Sequence, residues 1–370
     1  MASKQPSTQI KVCLVAISLG RGGAERSTAL LSQMLTEKGF NVTIVILYDV
    51  VDYPYKGNLL NLGKHKKDGD TFNKRLVRLN KLKQFLKQES FDFILDNRTR
   101  SNGPKELFYL KYVYANQHVI YVVRSFNLLQ YFPKEKWIAK KMINNSKLVI
   151  GVSKAISEKI NAEYKTNKAK TIYNPVEPLS ETGNKNLSNE KYILYLGRIE
   201  EQVKNFTLLL NAYKKSKLPE ASIHLKIVGD GPDVDWLKQK IETMSLSETV
   251  SVNSFTPIVF QYLKNALYLT LTSYYEGFPR VLIEALSVGT PVISVDCKSG
   301  PEEIVSHKKN GLLVENHNEL ELAEAMNSLA FDTELYKTCK ANAQDSISHL
   351  KMDAIGEQWA NLLNNKQTRS

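Results

Sequence analysis

Short apolar runs alternate with helix-like segments along most of this chain, and this alternation restricts the fold more than any other feature. Ile10–Ile17 is apolar enough to be a strand that is buried on both faces. A glycine-rich turn follows, and then the helical pattern of Ser27–Lys38, which Gly39 closes. Asn41–Leu47 begins the cycle again. Strands that alternate with helices in this way predict a doubly wound parallel sheet.

The alternation is interrupted once, near the middle of the chain. Thr171–Pro178 breaks the pattern and a polar stretch continues to Asn189, so we interpret this part as a domain linker. Further strands are predicted before it at Phe91–Asp96, His118–Val123 and Lys147–Val152. Those predicted after it are Lys191–Gly197, Ser222–Val228, Thr249–Asn253, Ala266–Leu271, Pro291–Val295 and Gly311–Val314. We therefore expect two Rossmann-like domains, 1–175 and 176–350, and a C-terminal helix in 351–370 that crosses back to the first domain.

The composition fits a globular protein of this size. The 370 residues, of which 42% are hydrophobic and 24% charged, are enough for two domains with cores of their own. No apolar run is long enough to cross a bilayer, and the polar first residues lack the apolar stretch of a signal peptide. Cys13, Cys297 and Cys339 are far apart and match neither a zinc site nor a disulfide framework. We therefore expect a protein of the reducing cytoplasm.

The positive charge of the chain is concentrated in its first half. Residues 1–175 contain 30 Lys and Arg against 13 Asp and Glu, a balance of +17, whereas residues 176–370 contain 20 against 25, a balance of −5. The densest basic segments are Lys64–Lys67 and Asn73–Lys87. The second segment has the pattern of an amphipathic helix that packs its leucines on the sheet; these are Leu76, Leu79, Leu82 and Leu86. Its basic face indicates an anionic partner, and we expect peripheral binding to anionic lipid at the inner face of the cell membrane.

Two glutamates mark a candidate site in the second half. Glu276 and Glu284 belong to Ser273–Leu286, which begins polar, turns at Gly-Phe-Pro and continues with helical periodicity. Pro279 suits a first helical turn, so Glu276 is expected just before a helix and Glu284 inside it. Two carboxylates along one wall suit two parts of one polyhydroxylated ligand. The spacing alone is weak evidence, because glutamates eight positions apart are common in helical proteins.

The residues around the two glutamates make the pattern specific. Glu-Gly-Phe-Pro, Glu-Ala-Leu and then Gly289–Ile293 resemble the retaining glycosyltransferases of the family 4 type, or glycosyl transferases group 1. The resemblance implies a GT-B fold, an α/β fold of two Rossmann-like doubly wound parallel-sheet domains that face each other across a cleft. It also implies that Glu276 contacts the transferred sugar and that Glu284 holds the ribose hydroxyls of a nucleotide sugar, a task that acidic residues also perform in dinucleotide-binding folds.

Basic and glycine-rich segments are expected to meet the diphosphate of the donor. Arg198 follows the first strand of the second domain and Lys204 begins the next helix, in a pattern that resembles the diphosphate clamp of the family. We therefore expect Arg198, Lys204 and Glu276 to be the catalytic residues. Besides Glu284, the resemblance implies donor-binding roles for Gly22, Gly23, Gly229, Phe255, Gly277, Phe278, Pro279, Ser299 and Gly300.

The acceptor side departs from the pattern of the family. Many relatives carry a useful histidine in the loop that corresponds to 124–127, where this chain reads Arg-Ser-Phe-Asn. We expect Arg124, Asn127 and Glu25 to lie on the acceptor side. Because arginine is always protonated and cannot serve as a base, the departing diphosphate oxygen is expected to accept the proton of the acceptor in a front-face reaction with retention.

The sequence predicts a class of reaction and leaves the substrates open. The resemblance implies a hexosyltransferase that uses a nucleotide diphosphate sugar, expected to be UDP-linked, and a glycan or lipid-linked acceptor of bacterial surface polysaccharide or glycoconjugate synthesis. No metal or other cofactor is expected, because Asp233 and Asp235 follow a Gly-Pro turn at a helix start, where acidic residues are structurally favoured. A GT-B-like sugar-nucleotide epimerase stays as an alternative. A non-catalytic polyanion-binding protein is less favoured, and nucleic acid is not expected, because the aromatic residues of 108–114 follow helical spacing.

Overall fold

The computed structural model of the chain describes residues 9–20, 22–65, 72–177, 190–256, 259–365 and 368, with backbone only at 65, 72 and 73. The chain forms two compact units, one of residues 1–175 with 352–370 and one of residues 176–351. The polar start of the chain, Lys66 and Lys67 of the predicted basic segment, and the part of the predicted linker from 178 to 189 lie outside the described residues.

The first unit is built on a seven-stranded parallel sheet. Its strands are β1 (Lys11–Ala16), β2 (Asn41–Ile46), β3 (Asn58–Asn61), β4 (Phe93–Asp96), β5 (Val119–Val123), β6 (Leu148–Gly151) and β7 (Ala169–Thr171). Their order in the sheet is β3-β2-β1-β4-β5-β6-β7. The helices between them are α1 (Gly23–Glu37), α2 (Phe72–Glu89), α3 (Gly103–Phe108), α4 (Lys136–Asn145) and α5 (Lys154–Tyr164), with short 3-10 turns at Gly63–His65 and Leu128–Gln130 and a π turn at Tyr109–Val113.

The second unit repeats the design with six parallel strands. They are β8 (Tyr192–Leu196), β9 (His224–Val228), β10 (Val250–Asn253), β11 (Leu269–Leu271), β12 (Val292–Val295) and β13 (Gly311–Val314), in the order β10-β9-β8-β11-β12-β13. The helices are α6 (Glu201–Lys204), α7 (Phe206–Lys215), α8 (Val234–Thr243), α9 (Phe260–Asn265), α10 (Arg280–Ser287), α11 (Pro301–Ile304), α12 (Glu319–Phe331) and α13 (Thr333–Ser346), followed by a 3-10 turn at Ser348–Leu350.

The last helix, α14 (Met352–Asn364), belongs to the first unit and packs on α1. Lys38 Nζ, just after α1, lies 2.6 Å from Asp353 Oδ1 and 3.1 Å from Glu357 Oε2. Hydrogen bonds to Asp353 and then to Glu357 raise the pKa of the Lys38 ammonium above its usual value. The C-terminal helix is thus held at the first unit by apolar packing and by a three-membered charge cluster.

The prediction of two Rossmann-like α/β domains is confirmed, and the patterns miss two strands. β3 is a half-exposed edge strand and β7 has only three residues, so neither gives the buried apolar run that marks a central parallel strand. β7 ends at Thr171, which is the first residue of the predicted linker. None of the described helices is both long enough and apolar enough to cross a membrane.

A fully buried charge network lies where β4 of the first unit ends. Arg98 donates from Nε to Asp96 Oδ1 at 3.0 Å and from Nη2 to Asp96 Oδ2 at 2.7 Å, and Nη2 also donates to Glu106 Oε2 at 3.1 Å. Arg100 donates to the backbone oxygens of Asp96 and Val122 at 2.8 and 3.0 Å. Burial alone would raise the pKa of the Asp96 carboxyl, but the charges of Arg98 and Arg100 hold it below its usual range.

Removal of the charge of Asp96 should destabilise the first unit strongly. Asp96→Asn leaves two buried guanidinium groups opposite one carboxylate, and we expect a loss of about 3–5 kcal/mol in the free energy of unfolding, measured in urea at pH 7. The matched control is Glu89→Gln, which breaks a half-exposed ion pair of 3.5 Å with Lys11 and should cost less than about 1 kcal/mol. If both variants lost less than about 1 kcal/mol in the free energy of unfolding, the buried network would not be important for stability.

The effect of Asp96→Asn should also depend on pH. The folded pKa of Asp96 lies below the unfolded value of 3.8, so its contribution is complete above that value and is lost as the pH falls through the folded pKa. We therefore expect the difference in unfolding free energy between the two proteins to decrease only below about pH 4.

Candidate functional site

Glu276 lies in the loop between β11 and α10 and is held by two donors. Lys204 Nζ and Ser273 Oγ both donate to Glu276 Oε1, at 2.6 and 2.7 Å. The side chains of Lys204 and Glu276 are only 19% and 15% exposed, and Ser273 is fully buried. Among the described residues no donor bonds Glu276 Oε2. One carboxylate oxygen is therefore fixed by the protein, and the other is the one that a ligand hydroxyl can meet.

Lys204 reaches Glu276 because the chain changes direction immediately after it. Lys204 ends the single-turn helix α6, and Asn205 adopts a left-handed φ of 55° and caps α7 by accepting from Leu208 N at 3.1 Å. The prediction that Lys204 begins the next helix is therefore wrong, because Lys204 ends α6 and α7 begins two residues later. Thr272 Oγ1 donates to the Lys204 carbonyl at 2.9 Å, which ties this bend to the Glu276 loop.

Arg198 takes a different partner from Lys204. Its side chain is 67% exposed and its Nε lies 3.2 Å from Glu200 Oε2. The two predicted clamp residues thus contact different carboxylates in this structure. The loop that carries Arg198 packs closely on the loop after β9, because a Cβ at Gly229 would overlap the carbonyl oxygen of Gly197. This packing explains the glycine, and the donor-binding role of Gly229 stays a prediction.

The segment after β12 lies directly against the Glu276 loop. Glu276 N donates to Lys298 O at 3.0 Å, and Ser299 N donates back to Glu276 O at 3.1 Å. The buried Ser299 donates from Oγ to Gly277 O at 2.8 Å. Gly300 has a φ of +103°, and a Cβ there would lie 2.7 Å from Pro279 Cδ. Of the predicted donor-binding residues, Gly277, Pro279, Ser299 and Gly300 are therefore brought together around Glu276.

Glu284 is buried in α10 beside a residue that the sequence reasoning missed. Arg280 Nη2 lies 3.6 Å from Glu284 Oε1, and both side chains are nearly buried. The i,i+4 spacing of opposite charges in a helix is the signal that could have identified Arg280. Pro279 is the N-cap residue in extended conformation, which corrects its predicted place inside the first turn. Phe278 is buried, whereas the predicted base contact Phe255 is half exposed.

The predicted residues of the first unit have structural partners of their own. Gly22 is the N-cap of α1, and a Cβ there would overlap the carboxylate of Glu25, whereas a Cβ at Gly23 would meet open space. Arg124 donates from Nη1 to Asn174 Oδ1 at 2.7 Å and from Nη2 to Asn97 Oδ1 at 3.0 Å. These two amides fix the direction of the guanidinium, and nothing in the local sequence pattern marks them.

Asn127 is exposed and has a turn-forming role. Its side chain accepts from Leu129 N at 3.3 Å and caps the 3-10 turn that follows β5. Its own backbone N–H donates to Ser125 Oγ at 3.1 Å. A contact between Asn127 and an acceptor stays a prediction.

The buried thiol of Cys297 is influenced by the charge of Glu276. Burial, followed by the charge of Glu276, raises the pKa of Cys297 well above its usual value, although Lys204 opposes the shift. The thiol therefore stays protonated at neutral pH, and a thiol in that state is a poor nucleophile. Cys297 has a packing role after β12.

Asp233 and Asp235 have the helix-start positions that were predicted. Asp233 precedes α8 and accepts from Glu201 N at 2.7 Å, and Asp235 lies in the first turn of the helix. In the described part of the chain no group of three or more His, Cys, Asp or Glu side chains is placed to hold a metal ion.

Comparison with known proteins gives two family matches that together span most of the chain. The model "Glycosyltransferase Family 4" matches residues 21–178, and the model "Glycosyl transferases group 1" matches residues 180–346. A similar protein of Campylobacter jejuni, an N-acetylgalactosamine-N,N'-diacetylbacillosaminyl-diphospho-undecaprenol 4-alpha-N-acetylgalactosaminyltransferase, is 27% identical over 90% of this chain and 94% of its own length.

Solved structures show the same fold. The crystal structure of Anabaena HepE in complex with UDP matches with a TM-score of 0.76 and 21% identity, over 96% of this chain and 99% of the other. A mutant of Staphylococcus aureus TarM in complex with Fondaparinux, alpha-GlcNAc-glycerol and UDP matches with a TM-score of 0.76 and 16% identity, over 96% and 100% of the two chains. Both likenesses show the GT-B fold.

The close approach of Gly300 to the Glu276 loop can be tested by an added methyl group. Gly300→Ala combines a disfavoured φ of +103° with a contact of 2.7 Å to Pro279 Cδ, and we expect it to lower the free energy of unfolding by about 2–4 kcal/mol. The matched control is Gly289→Ala, which has a φ of +81° and no neighbour within 4 Å of its Cβ, and should cost about 1 kcal/mol. Equal losses in urea unfolding would show that the backbone conformation alone matters.

Proposed function

Because the chain belongs to the GT-B glycosyltransferases of the family 4 type and is therefore a transferase of glycosyl groups, we propose the following reaction. The protein transfers a hexose or an N-acetylhexosamine from a UDP sugar to a glycan or lipid-linked acceptor, with retention of configuration and without a metal ion. The product belongs to a bacterial surface polysaccharide or glycoconjugate.

The observation that carries this proposal is the cluster of Lys204, Ser273 and Glu276. Glu276 Oε1 is occupied by two donors, so the carboxylate is oriented before any ligand arrives. A sugar hydroxyl then meets Oε2 with little loss of side-chain freedom, which is the advantage of a pre-organised contact. Lys204 has three N–H donors and can keep Glu276 while it also donates to a diphosphate oxygen.

The positive charge at the site is suited to a leaving diphosphate. Arg198 is held by a largely exposed ion pair with Glu200, and such a pair is worth only about 0–1 kcal/mol, so its guanidinium is easily recruited by phosphate oxygens. Hydrogen bonds from charged donors strengthen as negative charge develops on the diphosphate in the transition state. Together Arg198 and Lys204 would supply the stabilisation that a metal ion provides in other glycosyl transfers.

The contacts of Glu276 and Arg124 support a reaction with retention. Glu276 is fixed by Lys204 and Ser273, which suits a group that positions the sugar rather than a nucleophile that must move to the anomeric carbon. Arg124 carries no removable proton at neutral pH and is bound to Asn97 and Asn174. We propose a front-face reaction in which the leaving diphosphate oxygen takes the proton of the acceptor, through an oxocarbenium-like transition state.

The relatives support the substrate classes. Anabaena HepE was solved with UDP, and the Campylobacter jejuni relative is named for a diphospho-undecaprenol-linked acceptor and an N-acetylgalactosaminyl group. Glu284, buried in α10 beside Arg280, would accept from the ribose hydroxyls of the nucleotide. Peripheral binding at the inner face of the membrane stays a prediction.

Substitution of the two glutamates should separate donor binding from turnover. Glu284→Gln removes charge-assisted hydrogen bonds to the ribose worth about 1.5–3 kcal/mol, so we expect the donor dissociation constant to rise roughly 10–100-fold. Glu276→Gln should change donor affinity little and lower kcat by about 10–100-fold, because its contact matters most in the transition state. The matched control is Glu334→Gln, on the exposed face of α13. Unchanged kinetics in both site variants would refute the assignment.

The reaction itself is tested by a screen of sugar nucleotides in a thermal-shift assay, followed by transfer assays on those that bind. We expect UDP sugars to stabilise the protein, EDTA to leave the rate unchanged, and proton NMR of the product to show the anomeric configuration of the donor. Release of an isomerised sugar nucleotide without acceptor would identify an epimerase instead. An inverted product would overturn the proposed geometry.

A further inference from the structure

The first unit contains a cavity of about 640 Å³. None of the residues predicted to be catalytic, donor-binding or acceptor-side lines it. Leu47, which follows β2, and Leu62, which follows β3, line it. Other lining residues come from the first half of α2 and from α3. The volume falls in the usual range for small-molecule sites.

The position of the cavity follows from the topology of the sheet. β2 and β3 are parallel to β1 and β5, so the loops after all four strands lie at the same edge of the sheet. Arg124 follows β5 and Glu25 lies in the helix after β1. The cavity therefore opens at the edge of the sheet where these two predicted acceptor-side residues lie, as expected for ligand sites of α/β folds.

Helix α2 exposes part of its leucine stripe to this cavity. Leu82 and Leu86 are fully buried against the unit, as predicted, but Leu76 is 36% exposed and lines the cavity together with Leu79. The prediction that all four leucines pack on the sheet is therefore wrong for the first two turns. Apolar side chains that line a cavity of this size are typical of small-molecule sites.

The walls combine apolar and basic groups. Of the twelve described residues that line the cavity, eight are apolar or aromatic, three are basic and none is acidic. The basic residues are Arg75 and Arg78 of α2 and Lys105 of α3. Lys105 Nζ lies 6.0 Å from the ring centroid of Tyr109, which also lines the cavity. A hydrocarbon chain with an anionic head matches both parts of this lining.

We propose that this cavity binds the end of an acceptor lipid at which a hydrocarbon chain joins a phosphate. The first part of the chain lies against Leu47, Leu62 and Leu79, and Arg75, Arg78 and Lys105 surround the phosphate. This inference rests on the proposed function, since it assigns a lipid phosphate as the anchored end of the acceptor. It gives a role to three of the 30 Lys and Arg residues of this half of the chain.

The lining distinguishes this site from general attraction to a charged surface. A flat anionic bilayer would contact exposed lysines such as Lys81 and would not need a cavity with apolar walls. Lys83 lies with its Nζ 3.6 Å from the ring centroid of Tyr112, outside the cavity lining. Lys81 therefore provides a basic residue on the same helix that is outside the site.

The first experiment compares three ligands by isothermal titration calorimetry below their micelle concentrations. Dodecyl phosphate should bind saturably with one molecule per chain, and dodecyl maltoside and inorganic phosphate should each bind at least about tenfold more weakly. If inorganic phosphate bound as tightly as dodecyl phosphate, the cavity would be a site for anions without a role for the hydrocarbon chain. If dodecyl maltoside bound as tightly as dodecyl phosphate, the cavity would bind hydrocarbon chains without a role for the phosphate. Either result overturns the proposal.

Two pairs of variants locate the binding. Leu76→Trp should fill the cavity and weaken dodecyl phosphate at least about tenfold, whereas Val77→Trp, one residue along α2 and 68% exposed, should leave the affinity unchanged. Arg78→Glu should weaken binding by a similar factor and Lys81→Glu should not. If the two variants of either pair changed the affinity for dodecyl phosphate equally, the ligand would be adsorbed to the surface of α2. That result would overturn the proposal.

The same variants separate this proposal from the proposed function. None of the predicted donor-binding or catalytic residues lines the cavity, so UDP-sugar hydrolysis should persist in Leu76→Trp and in Arg78→Glu. Loss of dodecyl phosphate binding with hydrolysis intact supports the cavity as the lipid site. If dodecyl phosphate binds as described but no sugar nucleotide is turned over, the cavity stands and the glycosyl transfer fails. If hydrolysis occurs and dodecyl phosphate does not bind to the unchanged protein, the cavity proposal alone is wrong.

Discussion

The ion pair between Lys204 and Glu276 is the contact on which the arrangement of the second unit's site depends. It joins groups 72 positions apart in the chain, at 2.6 Å, in a largely buried environment. A charge in such a place is unfavourable without its partner, so each of the two residues requires the other. Ser273 precedes Glu276 in the same loop and donates a second hydrogen bond to Glu276 Oε1. The result is a carboxylate oriented before ligand arrives.

The topology of the sheet explains why this contact forms at all. The order β9-β8-β11-β12 places the loops after β8, β11 and β12 side by side at one edge. α6 then returns Lys204 to the Glu276 loop, and the segment of Ser299 and Gly300 supports that loop from the other side through backbone hydrogen bonds. Gly300 permits the close approach because a side chain there would meet Pro279. The site is thus a consequence of strand order and of a few small residues.

The sequence predicts the residues of this site better than it predicts the residues that hold them in place. The central strands give apolar runs, and the Glu276 to Glu284 frame is specific enough to indicate a family. Asn205 and Ser273 are not visible as partners, because their roles depend on which groups lie nearby after folding. The same holds for Asp96 to Arg100 in the first unit, a segment that looks like a polar loop but is buried except at Thr99. Local patterns encode the period of an element, whereas burial of charge is decided by tertiary packing.

The distribution of charge in the first unit leads to a further consequence. Its buried network contains Asp96 and Glu106 against Arg98 and Arg100, so the network is balanced and accounts for none of the surplus of +17 in residues 1–175. The surplus must therefore lie outside the core, where it acts on ligands rather than on folding. α2 concentrates part of it beside an apolar cavity, which a soluble polyanion would leave unfilled. An amphiphilic anion satisfies the charge and the apolar walls with one molecule.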